Sequence, residues 1–437
     1  MHDIIFQPLQ FRNLTVKNRL FRSSVSGRID HYDGSGTQAR INWEKKFASG
    51  GVGAIISSHI PVDPAQRILP NYAMIDRDDL IPFWKEVVKS VHAYDCKFIG
   101  QLSMSGHQQD IRGVENRHRL PLSPVDGSEH FHGIKGKAMS KIQISDAVRK
   151  FAEAASRARE AGMDGIELHA SNGYLFTQFL SSAINNRKDE YGGALENRAR
   201  FLMEVVWAVR EKVGDDYHFQ VKMNAADHHS DYFLNFGKGN TLNEGVAVAR
   251  WLEKAGVDAL HVSVGSQFPH PRNPVGPLPI ENAAITYPAM IPSGHLSFWN
   301  YLTFRYKIFW PLIQWLWRRK QPGIMEGINL AECKAIMDAV SIPVLCTGGF
   351  QTASLIRNAL ENNFCDGVTI ARPLMANPTL PLMFASGLDQ APKPCSYCNK
   401  CLAHVLVDPL GCYDESRYDS YEDMMEEIMS IFKNEYF

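Results

Sequence analysis

DGIELHASNGYLFTQFLSSAINNRKDEYGGALENRARF, residues 164–201, opens with an apolar, strand-like run and then sets His169, Asn172 and Tyr174 within six residues. A polar, turn-rich passage follows (Asn185, Arg187, Asp189, Tyr191, Gly192, Gly193), and a helix-like segment closes the stretch. Polar side chains at the C-terminal end of a buried strand are where an α/β barrel keeps its chemistry. The remainder of the chain is read as what holds a cofactor and a substrate against these residues.

Outward from this stretch the same rhythm repeats. Short β-like runs are predicted at 20–25, 53–57, 97–102, 165–169, 218–223, 259–264, 343–347 and 367–371. Amphipathic helical patterns lie between them at 80–94, 146–161, 195–213, 243–255, 330–339 and 352–361. Asp146 and Asn243 are the expected N-caps. Glycines just past the helices in EAGMDG and EKAGVDA mark C-terminal ends. Eight strand–helix units predict an α/β fold, a TIM (β/α)8 barrel. A doubly wound sheet is the alternative, but no GxGxxG follows the first strand.

Three passages interrupt the rhythm: 103–144 after the third strand, 266–327 after the sixth, and 389–437 after the eighth. The domain expectation is therefore a barrel over 1–387, carrying an insertion at about 266–327, and a cysteine-rich extension over 388–437. Long loops in a compact domain are usually functional or disordered, and the first two would lie on the active-site face.

Composition bounds the rest. The 437 residues are 45% hydrophobic and 21% charged, which is ordinary for a globular chain. A formal net charge of −1 carries no nucleic-acid signal. MHDIIFQPLQFRNLTVKNRL lacks a basic segment followed by an apolar core, so a cytoplasmic location is expected and disulfides are not. No run reaches the ~18 apolar residues of a spanning helix. Of the eight cysteines, Cys96, Cys333, Cys346 and Cys365 sit among apolar residues and read as buried hydrophobes.

The seventh and eighth units, IPVLCTGGFQTASLIRNAL and CDGVTIARPLMANP, carry an anion signal. Gly348 and Gly349 let the backbone approach a ligand at a strand-to-helix turn. The following helix offers its positive N-terminus. Ala371 and Arg372 end the eighth strand, and arginine forms paired hydrogen bonds to phosphate. The bland alternative is a tight turn and a surface ion. His169 and Asn172 both carry donors able to polarise a carbonyl or nitro oxygen. Tyr174, with an ordinary pKa of about 10, is protonated at neutral pH and suits a proton donor. Taken alone, HxxN also reads as a capped turn and Tyr174 as a core aromatic.

PCSYCNKCLAHVLVDPLGCYDESRY holds Cys395, Cys398 and Cys401 at two-residue gaps, with Cys412 ten residues further on. Four cysteines so spaced predict a thiolate site, for which iron–sulfur and zinc are chemical rivals. SGHLSFWNYLTFRYKIFWPLIQWLWRRKQP, around residues 297–320, is rich in Trp, Phe and Tyr and closes on Arg318, Arg319 and Lys320. It is read as a lid over the barrel, as a peripheral membrane contact, or as a subunit contact in a homo-oligomer.

LHASNGYLFTQFLSSAINNRKDEYGGALENRARF resembles the signature of the Old Yellow Enzyme family of FMN-dependent ene-reductases. FQPLQFRNLTVKNRL resembles the family's N-terminal segment, FASGGVGAIISS its second strand, and FIGQLSMSGHQ its third. The resemblance implies noncovalent FMN on a TIM barrel and reduction of activated alkenes with hydride taken from NAD(P)H. It implies that His169 and Asn172 bind the substrate's electron-withdrawing group while Tyr174 protonates. Gln101 and Lys222 would contact the flavin's pyrimidine edge. Ser26 and Ser57 would lie by the flavin, and Gly348, Gly349, Ala371 and Arg372 would hold its phosphate. Met104 stands where relatives have histidine. Arg187, Asp189, Glu196 and Arg198 are expected to form a structural ion network. The cysteine segment resembles the dienoyl-CoA reductase and trimethylamine dehydrogenase branch, which implies a 4Fe-4S cluster. That branch continues into FAD and pyridine-nucleotide regions, which are not expected in a chain ending at Phe437. NAD(P)H would then reduce FMN directly, or a separate electron carrier would feed the cluster. The expected substrate is a small apolar α,β-unsaturated carbonyl or dienoyl compound. The rival functions are oxidative amine demethylation and electron transfer alone.

Overall fold

The eight strand-like runs pair in parallel, each with the next, until the last returns to the first. The computed structural model describes residues 3–109, 111, 119–231 and 237–433. Its barrel strands are β1 Leu20–Arg22, β2 Ala54–Pro61, β3 Lys97–Ser103, β4 Gly165–Ala170, β5 His218–Asn224, β6 Ala259–Ser263, β7 Val344–Thr347 and β8 Gly367–Ile370. Closure is made by Val368 opposite Leu20 and Thr369 opposite Phe21. Strands buried on both faces read as near-continuous apolar runs, which is why they were visible in sequence.

The expected helices form, with shifted starts. The outer ring comprises α1 Gln38–Ser49, α2 Ile81–His92, α3 Lys141–Glu160, α4 Leu195–Val213, α5 Leu242–Lys254, α6 Leu330–Met337, α7 Ala353–Glu361 and α8 Leu380–Ala385. Asp146 and Asn243 are not the N-caps. Ser140 and Thr241 are, each in a reciprocal capping box with Gln143 and Glu244. The spacing S-x-x-Q and T-x-x-E satisfies two orphan amides at once, which outweighs a lone Asp or Asn further in. Gly162 and Gly256 adopt the left-handed backbone after α3 and α5, as their positions predicted.

The N-terminal end of the barrel is plugged by a hairpin, Leu9–Gln10 against Thr15–Val16. Its Leu9, Phe11, Leu14 and Val16 pack on Phe21, Ile56, Ile99 and Leu345 inside the barrel. The opposite end is roofed by the interruptions. The insertion folds into helices Ile280–Thr286, Ser297–Arg305 and Trp310–Arg319 around a small core of Ile280, Tyr287, Met290 and Phe304. The passage after β3 forms three short strands, and part of it (110 and 112–118) lies outside the described residues. The tail carries helices Lys400–His404 and Tyr421–Met429 and docks on α1, where Asn42 donates to the Ile431 carbonyl at 2.9 Å. Residues 434–437 lie outside the described residues.

The charged half of the opening stretch holds the fold. Arg187 pairs with Asp189 at 2.6 Å and donates to the carbonyls of Pro124 and Met139. Arg198 pairs with Glu244 at 2.7 Å and donates to Leu180 and Gly193. Glu196 departs from expectation: it is exposed and pairs with no cation among the described residues.

A second network ties β1 to its helix. Arg22 donates to Glu44, and Arg40 bridges Glu44 to Asp30, with all four side chains withdrawn from solvent. Removing one member strands a buried charge, which costs about 3–5 kcal/mol. Glu44→Ala is therefore expected to lower unfolding free energy by that amount in a denaturant titration, whereas Glu196→Ala should change it by less than ~0.5 kcal/mol.

Candidate active site

A cavity of about 270 Å³ opens at the C-terminal ends of the strands. It is lined by Ser26, His169, Asn172, Tyr174, Lys222, Ala371 and Arg372, which sequence reasoning had singled out. Ser57, Gln101, Gly348 and Gly349 do not line it.

Strand register sets the floor. Gln101 of β3 and Gln220 of β5 both stand opposite Glu167 of β4. Their amides donate to its carboxylate at 2.6 and 2.5 Å, and His261 of β6 meets it at 2.9 Å. Two residues on, Lys222 stands opposite His169. Burial lowers the Lys222 pKa and the Glu167 carboxylate opposes that shift. Among the described residues, Lys222 makes no side-chain hydrogen bond, and the Oε1 of Gln101 is buried without a partner. A flavin's pyrimidine edge presents an N–H donor and electron-rich carbonyls. An orphaned acceptor and an unpaired cation fit that edge.

Ser57 has a different task. Its Oγ accepts the Gln101 amide at 2.8 Å and donates to the Ser58 carbonyl at 2.7 Å. This fixes a bulge between Ile56 and His59, where the register of β2 against β3 shifts. Bulges re-aim side chains next to active sites. The one here delivers His59, which sequence reasoning missed, into the cavity. The His59 ring lies 4.4 Å from His169 and 4.8 Å from Tyr174, and His169 lies 4.7 Å from Tyr174. Burial pushes His59 down to about 3 and His169 well below its ordinary value, so both rings are neutral.

Asn172 occupies a left-handed turn, φ +60°, a conformation asparagine tolerates. Its Nδ2 donates to Ser263 Oγ and the Val264 carbonyl, both at 3.1 Å. Its Oδ1 accepts from Ser171 at 2.8 Å and faces His169 Nε2 at 3.3 Å. The Val264 carbonyl, which can only accept, settles which end is nitrogen, and the network then assigns the His169 proton to Nε2. Asn172 thus holds the imidazole, and the buried Nδ1 of His169 is left without a partner among the described residues.

The phosphate end differs from expectation. Glu326, at the close of the insertion, accepts from the amides of Gln351 and Thr352 at 2.9 and 3.0 Å. The N-terminus of α7 therefore receives a carboxylate of the chain itself. Gly349, at φ +75°, passes so close to Met325 that a Cβ would lie 2.3 Å from its carbonyl oxygen. Arg372 lines the cavity, donates to Asn399 and lies over Tyr397 at 5.3 Å.

All four tail cysteines border one small second cavity. It shares Arg372, Met375, Asn399 and Cys401 with the main one. The Tyr397 amide donates to Cys395 Sγ at 3.4 Å and Arg417 to Cys412 Sγ at 3.3 Å. Burial pushes Cys395 up to about 11. Among the described residues no three Cys, His, Asp or Glu side chains close on a single ion. Further walls come from Tyr72, Phe131, His132 and Tyr287, which carried no sequence signal, and from Phe304 and Trp317 of the aromatic stretch read as a lid.

Comparison with known proteins agrees with this architecture. The chain is 30% identical over 396 residues to an NADH oxidase of Thermoanaerobacter brockii, covering 90% of this chain and 52% of that protein. It is 25% identical over 413 residues to a cinnamate reductase of Clostridium sporogenes, covering 91% and 55%. The chain spans about half the length of these curated relatives. Among solved structures, a 2-naphthoyl-CoA reductase complex superposes with a TM-score of 0.75 at 22% identity, over 94% of this chain and 57% of that one, and shares its fold. A dihydrouridine synthase family model matches residues 318–434, the last two strands and the tail. The NADH:flavin oxidoreductase / NADH oxidase family model matches residues 4–275, more than half of the chain, and to that family the protein belongs.

Proposed function

We propose that the protein is an FMN-dependent ene-reductase that uses NAD(P)H and acts on α,β-unsaturated carbonyl or dienoyl compounds. The observation that carries this reading is the convergence of Tyr174, His169 and the unpaired Lys222 on one apolar-walled cavity. Bound FMN supplies hydride chemistry there. Gln101 and Lys222 face its pyrimidine edge, Ser26 lies alongside, and Ala371 and Arg372 receive its phosphate. The Lys222 cation stabilises negative charge developing next to it. Neutral His169 and Asn172 orient the substrate's electron-withdrawing group once their present hydrogen bonds exchange, because the His169 N–H now meets Asn172 and the Asn172 amide N–H groups now go to Ser263 and Val264. Tyr174 delivers its phenolic proton to the substrate's α-carbon. The His59 ring packs against both and keeps water from the proton path. The likeness to a cinnamate reductase supports this class.

The barrel, 1–387, is the flavin unit in this reading, and 388–437 is its redox extension. Cys395, Cys398, Cys401 and Cys412 hold a 4Fe-4S cluster, which supplies single electrons. Four thiols around one cavity support this reading, and hydrogen bonds to two of the sulfurs are the outer-shell contacts that tune such a centre. The residues shared by the two cavities support electron transfer between such a cluster and the flavin.

Two measurements test this. Tyr174→Phe is expected to slow re-oxidation of the reduced enzyme by an enone about 100-fold or more. Flavin reduction by NADH should be unchanged, and equal re-oxidation rates would remove Tyr174 from the mechanism. Anaerobic purification should yield a flavin spectrum with about four iron and four sulfide per chain. Zinc without sulfide would sink the cluster assignment.

A further inference from the structure

Two insertion helices, Ser297–Arg305 and Trp310–Arg319, present different chemistry on their two sides. On the inner side Phe304 and Trp317 are buried and line the main cavity. Trp317 is anchored by its indole N–H to the Gly276 carbonyl at 2.9 Å. On the outer side Trp299 is 64% exposed, Ile308 82%, Leu312 58% and Trp315 51%. Water-facing apolar surface of this extent marks a site of contact.

The charge on the same segment indicates with what. Between Ser297 and Lys320 there is no Asp or Glu, while Arg305, Lys307, Arg318, Arg319 and Lys320 are all exposed. None of the five pairs with a carboxylate among the described residues. Instead Arg319 lies 4.6 Å over the Trp315 ring and Lys307 5.5 Å over Trp310, so cations and indoles share one level. A second copy on this face would bring two sets of unneutralised cations together. An anionic leaflet neutralises them and accepts the indoles and aliphatic groups at its headgroup boundary. At nine and ten residues neither helix can cross a bilayer, and no described helix is long and apolar enough to do so.

We propose that the outer face of residues 297–320 docks the enzyme on an anionic phospholipid surface, with the cavity wall immediately behind the docked helices. Resting on the reductase reading above, this identifies the substrate class as membrane-partitioned, apolar unsaturated compounds that enter the cavity from the leaflet.

The test uses the holoenzyme and two vesicle types, phosphatidylcholine alone and phosphatidylcholine mixed with phosphatidylglycerol. Co-sedimentation is expected with the anionic vesicles only, weakening as salt rises. At about 1 kcal/mol for each basic side chain at the surface, Arg318→Gln combined with Arg319→Gln should weaken partitioning roughly thirtyfold. Trp299→Ser combined with Trp315→Ser should abolish it. All four positions are exposed, so both variants should keep the parent melting temperature and flavin content. Equal binding to both vesicle types, no binding, or binding indifferent to both variants would overturn the proposal. So would a dimer in solution that the Trp variant converts to monomer, which would assign the face to a second copy. Binding is read without turnover. A protein that binds vesicles but reduces no enone refutes the reductase reading alone, and one that reduces enones but ignores vesicles refutes this proposal alone.

Discussion

A fully buried carboxylate inside the barrel, Glu167, is the group around which the floor of the site is arranged. A lone charge in that environment would be neutralised by taking up a proton. Burial does raise its pKa, but the His261 ring, the Lys222 cation and the Gln101 amide outweigh burial, and it stays ionised. The obligation runs both ways. Glu167 opposes the lowering of the Lys222 pKa by burial, and it pins Gln101 and Gln220 with their amide N–H groups pointing inward. The Gln101 oxygen is then necessarily turned elsewhere, and it is the atom left without a partner. One carboxylate therefore sets both the electrostatics and the unmet hydrogen bond that a flavin ring would satisfy.

Above this floor the cavity is made by segments that do not belong to the barrel repeat. The insertion after β6 supplies Tyr287, Phe304 and Trp317, and the passage after β3 supplies Phe131 and His132. The tail supplies Cys401, Leu402, Ala403 and Val405, and all four of its clustered thiols border the adjoining cavity. Arg372 joins these parts, since it lies two residues past β8, borders both cavities and is held by Asn399 of the tail. A barrel face carrying its chemistry on strand ends and its specificity on added loops is how this architecture accommodates different substrates.

Much of this was legible in one dimension. All eight barrel strands were placed within a few residues, because apolar runs buried on both faces have a local signature. The helix of α4, Leu195–Val213, was placed to the residue, whereas α3 begins five residues before its expected start. The S-x-x-Q capping box explains the difference, and the pattern was present in the sequence but unused. The four-cysteine spacing and the HxxN-Y motif were equally visible, and the structure gathers each set around one cavity. His59 was not legible, since nothing in SSHIP distinguishes a ligand-facing histidine from a solvent-facing one. A bulge in β2 makes the difference, and a bulge is a property of pairing with β3.

The sequence by itself determined the barrel, the order of its units and the residue types available at each strand end, because periodicity and turn chemistry act between near neighbours. Tertiary structure alone decided what those residues do. Asn172 turns its amide to Ser263, 91 residues away, and so supports His169 from behind. Glu326 caps Gln351 and Thr352 and takes the helix terminus that the glycine motif had reserved for an external anion. The aromatic insertion divides into a cavity wall and an exposed cationic face only once its helices are laid across the barrel mouth. Each outcome depends on which partner reaches a hydrogen-bonding or apolar group first, and distance along the chain gives no measure of that.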